Sequence, residues 1–204
     1  MVTVLGLDDP SLALLDHIFI DTSVLLRVRS HSSQQPGATS AAVRFLNRIQ
    51  ARCLAGTLLA VVSTIALEEC YYKLISRRLE TDPVFNPQRA TCATQRHILV
   101  SRVTWHDLYK SQPRCVQQCA GDVSAFARWV QGIPLYVLEP SDLRVSSQVP
   151  ALEERMRFFI DSAQILPKDA YLIAEAERIG IFNIATLDSD FARLDTRFTV
   201  YTTP

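Results

Sequence analysis

Apolar residues fall along this chain in two rhythms. Short unbroken runs stand at "HIFID" (His17 to Asp21), "TLLAVVS" (Thr57 to Ser63), "IPLYVLEP", "FNIAT" and the terminal "FTVYT". They are short and rich in β-branched and aromatic residues, so each reads as a buried strand. Between them the apolar positions recur at helical spacing. Over residues 38–51 they are Ala42, Phe45, Leu46 and Ile49; in "TIALEECYYKLISRRL" they are Ile65, Leu67, Cys70, Tyr71, Leu74 and Ile75. "TSVLLRVR" begins a short helix with Thr22 or Ser23 as its cap, and "SHSSQQPG" after it is a polar loop. "PALEERMRFFID" and "PKDAYLIAEAERIG" predict two further helices. The stretch from Pro87 to Gln131 predicts helices over residues 89–103 and 122–130, joined by "KSQPRC". Strands that alternate with helices and are apolar throughout predict an α/β fold, a mainly parallel sheet flanked by helices on both faces.

The totals narrow this picture only a little. With 204 residues, 48% apolar and 21% charged, the chain suits one globular domain with room for an insertion. Formal net charge is zero, so nucleic-acid binding would need a local basic patch. No apolar run reaches the length of a membrane span. The start carries Asp8, Asp9 and Asp16 and no basic leader, so no signal peptide is expected. Five cysteines with no Cys-x-x-Cys pair suggest free thiols in a reducing compartment such as the cytoplasm. Cys115 and Cys119 with His97 and His106 match no usual zinc spacing.

The informative chemistry is acidic. Asp21 ends the first strand of this reading, Asp188 and Asp190 follow "FNIAT", Asp169 sits in the first turn of the helix opened by Pro167, and Glu68 and Glu69 begin the helix after "TLLAVVS". Each acid has an ordinary structural reading. Asp21 can cap a helix, Asp169 complements a macrodipole, and Asp188 and Asp190 suit a turn. Ligands of parallel sheets bind beyond the carboxyl ends of the strands, where most of these acids fall. Carboxylates gathered there would repel one another unless a cation sat among them, and hard oxygen ligands without His or Cys select Mg²⁺ or Mn²⁺.

Four segments resemble the PIN-domain nucleases, most closely the VapC-type toxins of toxin–antitoxin pairs. "IFIDTSVLL" resembles the family's first strand and its Asp. "VSTIALEECYYKL" resembles its Ser-x5-Glu segment, "ILPKDAYLIAEAERIG" its Asp-Ala helix, and "IATLDSDFARL" its Thr-x-Asp-x-Asp-Phe ending. The resemblance implies a PIN-like fold with a longer helical middle segment, about residues 80–132. It implies metal ligation by Asp21, Glu69, Asp169 and Asp188, with Glu68 ranked behind Glu69, and a catalytic place for Asp190. Thr186 and Ser23 match hydroxyl positions near the site. Mg²⁺ or Mn²⁺ is the implied cofactor, RNA the implied substrate, and a small antitoxin and a second copy of the chain the implied partners.

Candidate RNA contacts follow from charge. Arg44, Arg48 and Arg52 recur on one helix face, Arg77 and Arg78 end the helix of Glu69, and Arg27 follows Asp21. A solvated helix face and favourable placement at a helix end explain these runs equally well. Tyr71 and Tyr72 can stack bases, or at least one of them belongs to the core. Two other functions remain open: a catalytically silent PIN-like module that binds RNA or protein, and a PIN nuclease of RNA processing. A doubly wound phosphatase needs Asp-x-Asp directly after its first strand, and here that motif comes only near the end.

Overall fold

A computed structural model describes residues 2–31, 41–143 and 151–203. Among them the strands are β1 Thr3–Gly6, β2 His17–Ile20, β3 Leu59–Ser63, β4 Tyr136–Leu138, β5 Asn183–Ala185 and β6 Thr199–Thr202. They form one six-stranded sheet in the order β1-β6-β5-β2-β3-β4, and every pairing is parallel. The α-helices are α1 Thr22–His31, α2 Ala41–Leu54, α3 Thr64–Thr81, α4 Asn86–Arg96, α5 Trp105–Ser111, α6 Ala120–Gln131, α7 Leu152–Ala163 and α8 Pro167–Arg178. The α/β expectation holds. Ile18, Phe19, Ile20, Ala60, Val61 and Val62 are all 1% exposed or less, so the central strands are covered on both faces, as their unbroken apolar runs require.

The strand order turns back on itself beside β2. From β2 the chain builds outward through β3 and β4, then crosses to the other side of β2 to lay down β5 and β6. The connections leaving β2 and β5 therefore diverge, which opens a crevice at their carboxyl ends.

The chain divides into two compact units, one of residues 1–67 and 133–204 and the other Glu68–Gly132. The first holds the whole sheet. The second is helical and has a core of its own: Leu79, Phe85, Cys92, Ala93, Val103, Leu108, Cys115 and Cys119, with Ile75, Ile98, Trp105 and Val116 packed against it. Its lower boundary falls inside α3, whose second half gives Ile75 and Leu79 to that core.

Three local details differ from expectation. β1 is a strand the apolar pattern did not predict. It pairs only with β6, at the sheet's edge, and Val4 is 47% exposed. The helix expected over 89–103 stops at Arg96, where His97 takes a left-handed conformation with φ of 55°. A separate helix, α5, then starts from a capping box between Thr104 and Asp107. The polar loop after residue 31 and the first residues of the helix expected from Ala38 lie outside the described residues. No helix among the described residues is long and apolar enough to cross a membrane.

Candidate active site

Asp21 follows β2 at the crevice and is 6% exposed. Its backbone N–H continues the ladder to Ala185 O at 2.9 Å. Ile20 lies opposite Ala185 and Phe19 opposite Val61. Continuing both registers brings Thr186, Asp21 and Ser63 level across the ends of β5, β2 and β3, a polar row closing an apolar sheet.

Hydrogen bonds fix the Asp21 carboxylate. Its Oδ2 accepts from Ser23 Oγ at 2.5 Å, Thr186 Oγ1 at 2.9 Å and Ser23 N at 3.2 Å. The amide bond to Ser23 is the helix-capping interaction, so Asp21 is both the cap of α1 and the buried acid of the site. Thr186 then works in both directions. While its hydroxyl donates to Asp21, its oxygen accepts from Asp188 N at 3.0 Å. Ser23 Oγ similarly accepts from Leu187 N at 2.8 Å. Asp21 and Asp188, 167 positions apart in the sequence, are thereby locked to one threonine.

Asp188 is exposed and caps a short 3-10 turn, Ser189–Arg193, by accepting from Asp190 N at 2.9 Å. Asp190 pairs with Arg193, whose other arm donates to Gln164 O at 2.6 Å. Asp169 is half-buried in the first turn of α8. Glu69 belongs to the helical unit. It is half-buried and paired with Lys73 at 2.8 Å, whereas Glu68 is exposed. The structure thus joins Asp21 to Asp188. Among the described residues it gathers no group of three or more His, Cys, Asp or Glu side chains placed to hold a metal ion.

One acid beside this edge was missed. Glu175, in the middle of α8, is 1% exposed and hydrogen-bonded to Ser63, whose Oγ also accepts from Ile65 N at 3.1 Å at the start of α3. Burial pushes the Glu175 carboxyl up to about 7, against a smaller opposing pull from Ser63. Its Oε2 is buried and has no hydrogen-bond partner among the described residues. No sequence signal marked it: only the structure shows that α8 buries Ala170, Leu172, Ile173, Ala174 and Ala176 together with Glu175.

The arginine stripe of α2 is not a bare solvated face. Arg44 pairs with Asp8 at 2.6 Å, Arg48 donates to Asp9 O at 3.3 Å, and Arg52 donates to the carbonyls of Leu12, Leu15 and Thr57. These bonds tie α2 to the segment between β1 and β2. Arg78 pairs with Asp82 and Asp122, while Arg27 and Arg77 are exposed. Two clefts of the sheet unit lie away from the acids. One, of about 480 Å³, is bordered by Arg155, Phe158, Glu177 and Arg197; the other, of about 520 Å³, by His17, Tyr136, Asp142 and Ile181.

Asp21 and Asp188 offer carboxylate oxygens, the donor type of Mg²⁺, which takes one or two carboxylates, keeps water, and borrows phosphate oxygens from its substrate. All five cysteines carry free thiols, and burial raises the thiol pKa of Cys115 and Cys119. No protein-family model matches the chain, and no curated protein matches it.

Proposed function

We propose that this chain is a Mg²⁺- or Mn²⁺-dependent endoribonuclease of the PIN type, acting as the toxin of a toxin–antitoxin pair. One observation carries the reading: at the switch point of a parallel sheet, Thr186 bonds both the Asp21 carboxylate and the backbone N–H of Asp188. Asp21 and Asp188 would hold the ion, with Asp169 as a further ligand. When bound, the ion lowers the pKa of a coordinated water and offsets charge on the phosphoryl oxygens.

The chain's own residues do the rest. Ser23 and Thr186 prevent the Asp21 carboxylate from rotating, and their hydroxyls take the orientation Asp21 imposes. Asp190, which pairs with Arg193, would orient the water. The reaction is hydrolysis. A water oxygen bonds to phosphorus and the bond to the leaving ribose oxygen breaks. One water proton ends on that oxygen and the other is released. Arg27 and Arg77 are exposed and suited to phosphate contacts, and Arg78 lies beside Arg77. Free thiols suit a cytoplasmic site of action. A small antitoxin would cover the acids, and a homodimer is the expected assembly.

The test is cleavage of single-stranded RNA by the purified chain in Mn²⁺, stopped by chelation. Asp21→Asn should abolish it while the circular dichroism spectrum stays unchanged. Full-rate cleavage by that variant would sink the assignment. A catalytically silent RNA-binding module is the second reading. It is favoured by the pairing of Glu69 and Asp190 with Lys73 and Arg193 of their own chain. Calorimetric titration with Mn²⁺ separates the two, because a silent module would release no binding heat.

A further inference from the structure

The two tyrosines of "ECYYK" differ in role within the helical unit. Tyr71 is half-buried and meets Phe126 edge-on, with ring centroids 5.8 Å apart. Tyr72 is 51% exposed, and its ring stands 5.1 Å from Trp105 at an interplanar angle of 84°. The ring of His106, an exposed residue, lies 5.4 Å from that of Trp105, tilted by 60°. Three rings from two helices thus adjoin one another. The core of the unit takes up only part of Trp105.

Charge says what suits this surface. Net charge is zero for the chain, but it is unevenly divided. Residues 68–132 hold nine Lys and Arg against six Asp and Glu, and the remaining residues hold twelve against fifteen. Arg102 and Lys110 flank Trp105 and His106 in sequence, and both are exposed, while Lys73, which follows Tyr72, is paired with Glu69. The acid of that stretch, Asp107, is engaged by its capping box and by Arg96. Partly exposed rings on a unit with surplus positive charge complement a polyanion carrying flat, unstacked bases.

We infer that Tyr72, Trp105 and His106 form a stacking platform for an unpaired base of single-stranded RNA, with the exposed Arg102 and Lys110 of the same unit serving its phosphates. This rests on the ribonuclease reading and narrows it to strands that are unpaired where they are gripped.

The test uses the full chain with Trp129→Phe, which leaves Trp105 as the sole tryptophan. The probe is a short single-stranded oligoadenylate with a fluorescent end label, titrated in EDTA so that no cleavage occurs. Binding, followed by anisotropy, should quench Trp105, and a duplex RNA of the same length should not. Tyr72→Ala should weaken binding about five- to a hundredfold, and Tyr72→Phe should restore it. Binding without quenching, or an unchanged affinity in Tyr72→Ala, overturns the platform. Failure of the oligonucleotide to bind also overturns it and marks the rings as a protein-binding face. Adding Mn²⁺ then separates the two ideas. Quenching without cleavage keeps the platform and removes the nuclease, and cleavage with an unchanged KM in Tyr72→Ala does the reverse.

Discussion

Asp21 and Glu175 are both buried carboxylates of the sheet unit, yet three donors converge on one oxygen of Asp21 while Glu175 has a single serine and an orphaned Oε2. A carboxylate held by charge-assisted bonds keeps its charge when buried; one without them gives it up. Depth alone therefore does not decide how a buried acid is held. The donors around it do, and at Asp21 they come from Ser23 at the start of α1 and Thr186 after β5. Glu175, raised to about 7, is the acid that burial has disarmed.

The largest effect expected from this contrast is on stability. The folded pKa of Glu175 is about 7 against an ordinary 4.5, so the folded state holds the proton more tightly than the unfolded state. Its contribution is fully present below about pH 4.5, falls as pH rises, and is gone above about pH 7. The difference corresponds to roughly 3 kcal/mol at 1.36 kcal/mol per unit. Glu175→Gln removes the titration and keeps a group able to bond Ser63. Urea unfolding should show the variant equal to the parent near pH 4.5 and more stable by up to roughly 3 kcal/mol above pH 7. Equal stability of the two proteins at alkaline pH would contradict this account of Glu175.

A second substitution makes Asp21 more like Glu175. Thr186→Val removes the hydroxyl that donates to Asp21 and accepts from Asp188, at nearly constant volume. If the threonine fixes the Asp21 carboxylate and the backbone at Asp188, Mn²⁺ affinity measured by calorimetry should fall about ten- to a hundredfold. Thr186→Ser should keep most of it. Unchanged affinity in the valine variant would show that the two acids do not act through their common partner.

Much of this edge was legible in the sequence, for a physical reason. Strands β2, β3 and β5 are buried on both faces, so they show as unbroken apolar runs, and the polar residue that ends each run is conspicuous. Asp21 and Thr186 stand out in this way, and Ser23 and Thr186 turn out to be the hydroxyls on Asp21. β1 escaped because an edge strand with exposed Val4 does not need such a run. Glu175 escaped because a lone acid in an alanine-rich helix reads as solvent-facing until the helix is known to be buried on nearly every side. The middle segment was blurred by its turns. His97 in the left-handed region breaks one helical pattern, and the Thr104–Asp107 box starts another within a few residues.

At the exposed end of the series stands Asp8. Arg44 donates to it through Nη2 at 2.6 Å and Nε at 3.4 Å, and that hydrogen bonding holds the Asp8 carboxyl below the ordinary range. Both side chains lie in water, where a solvated pair gains little from its attraction and loses side-chain freedom in making it. The turn they decorate is also held by backbone bonds, from Leu7 N to Thr202 O at 2.8 Å and from Asp9 N to Gly6 O at 2.9 Å. Arg44→Ala should therefore leave the urea midpoint unmoved, while an NMR titration should show the Asp8 carboxyl rising toward its ordinary value. The same variant tests the helix stripe as an RNA contact. A guanidinium that neutralised a phosphate would take about one from the slope of log affinity against log salt when removed. With Arg44 already engaged by Asp8, that slope should not change. A change of about one would return Arg44 to the RNA-binding surface.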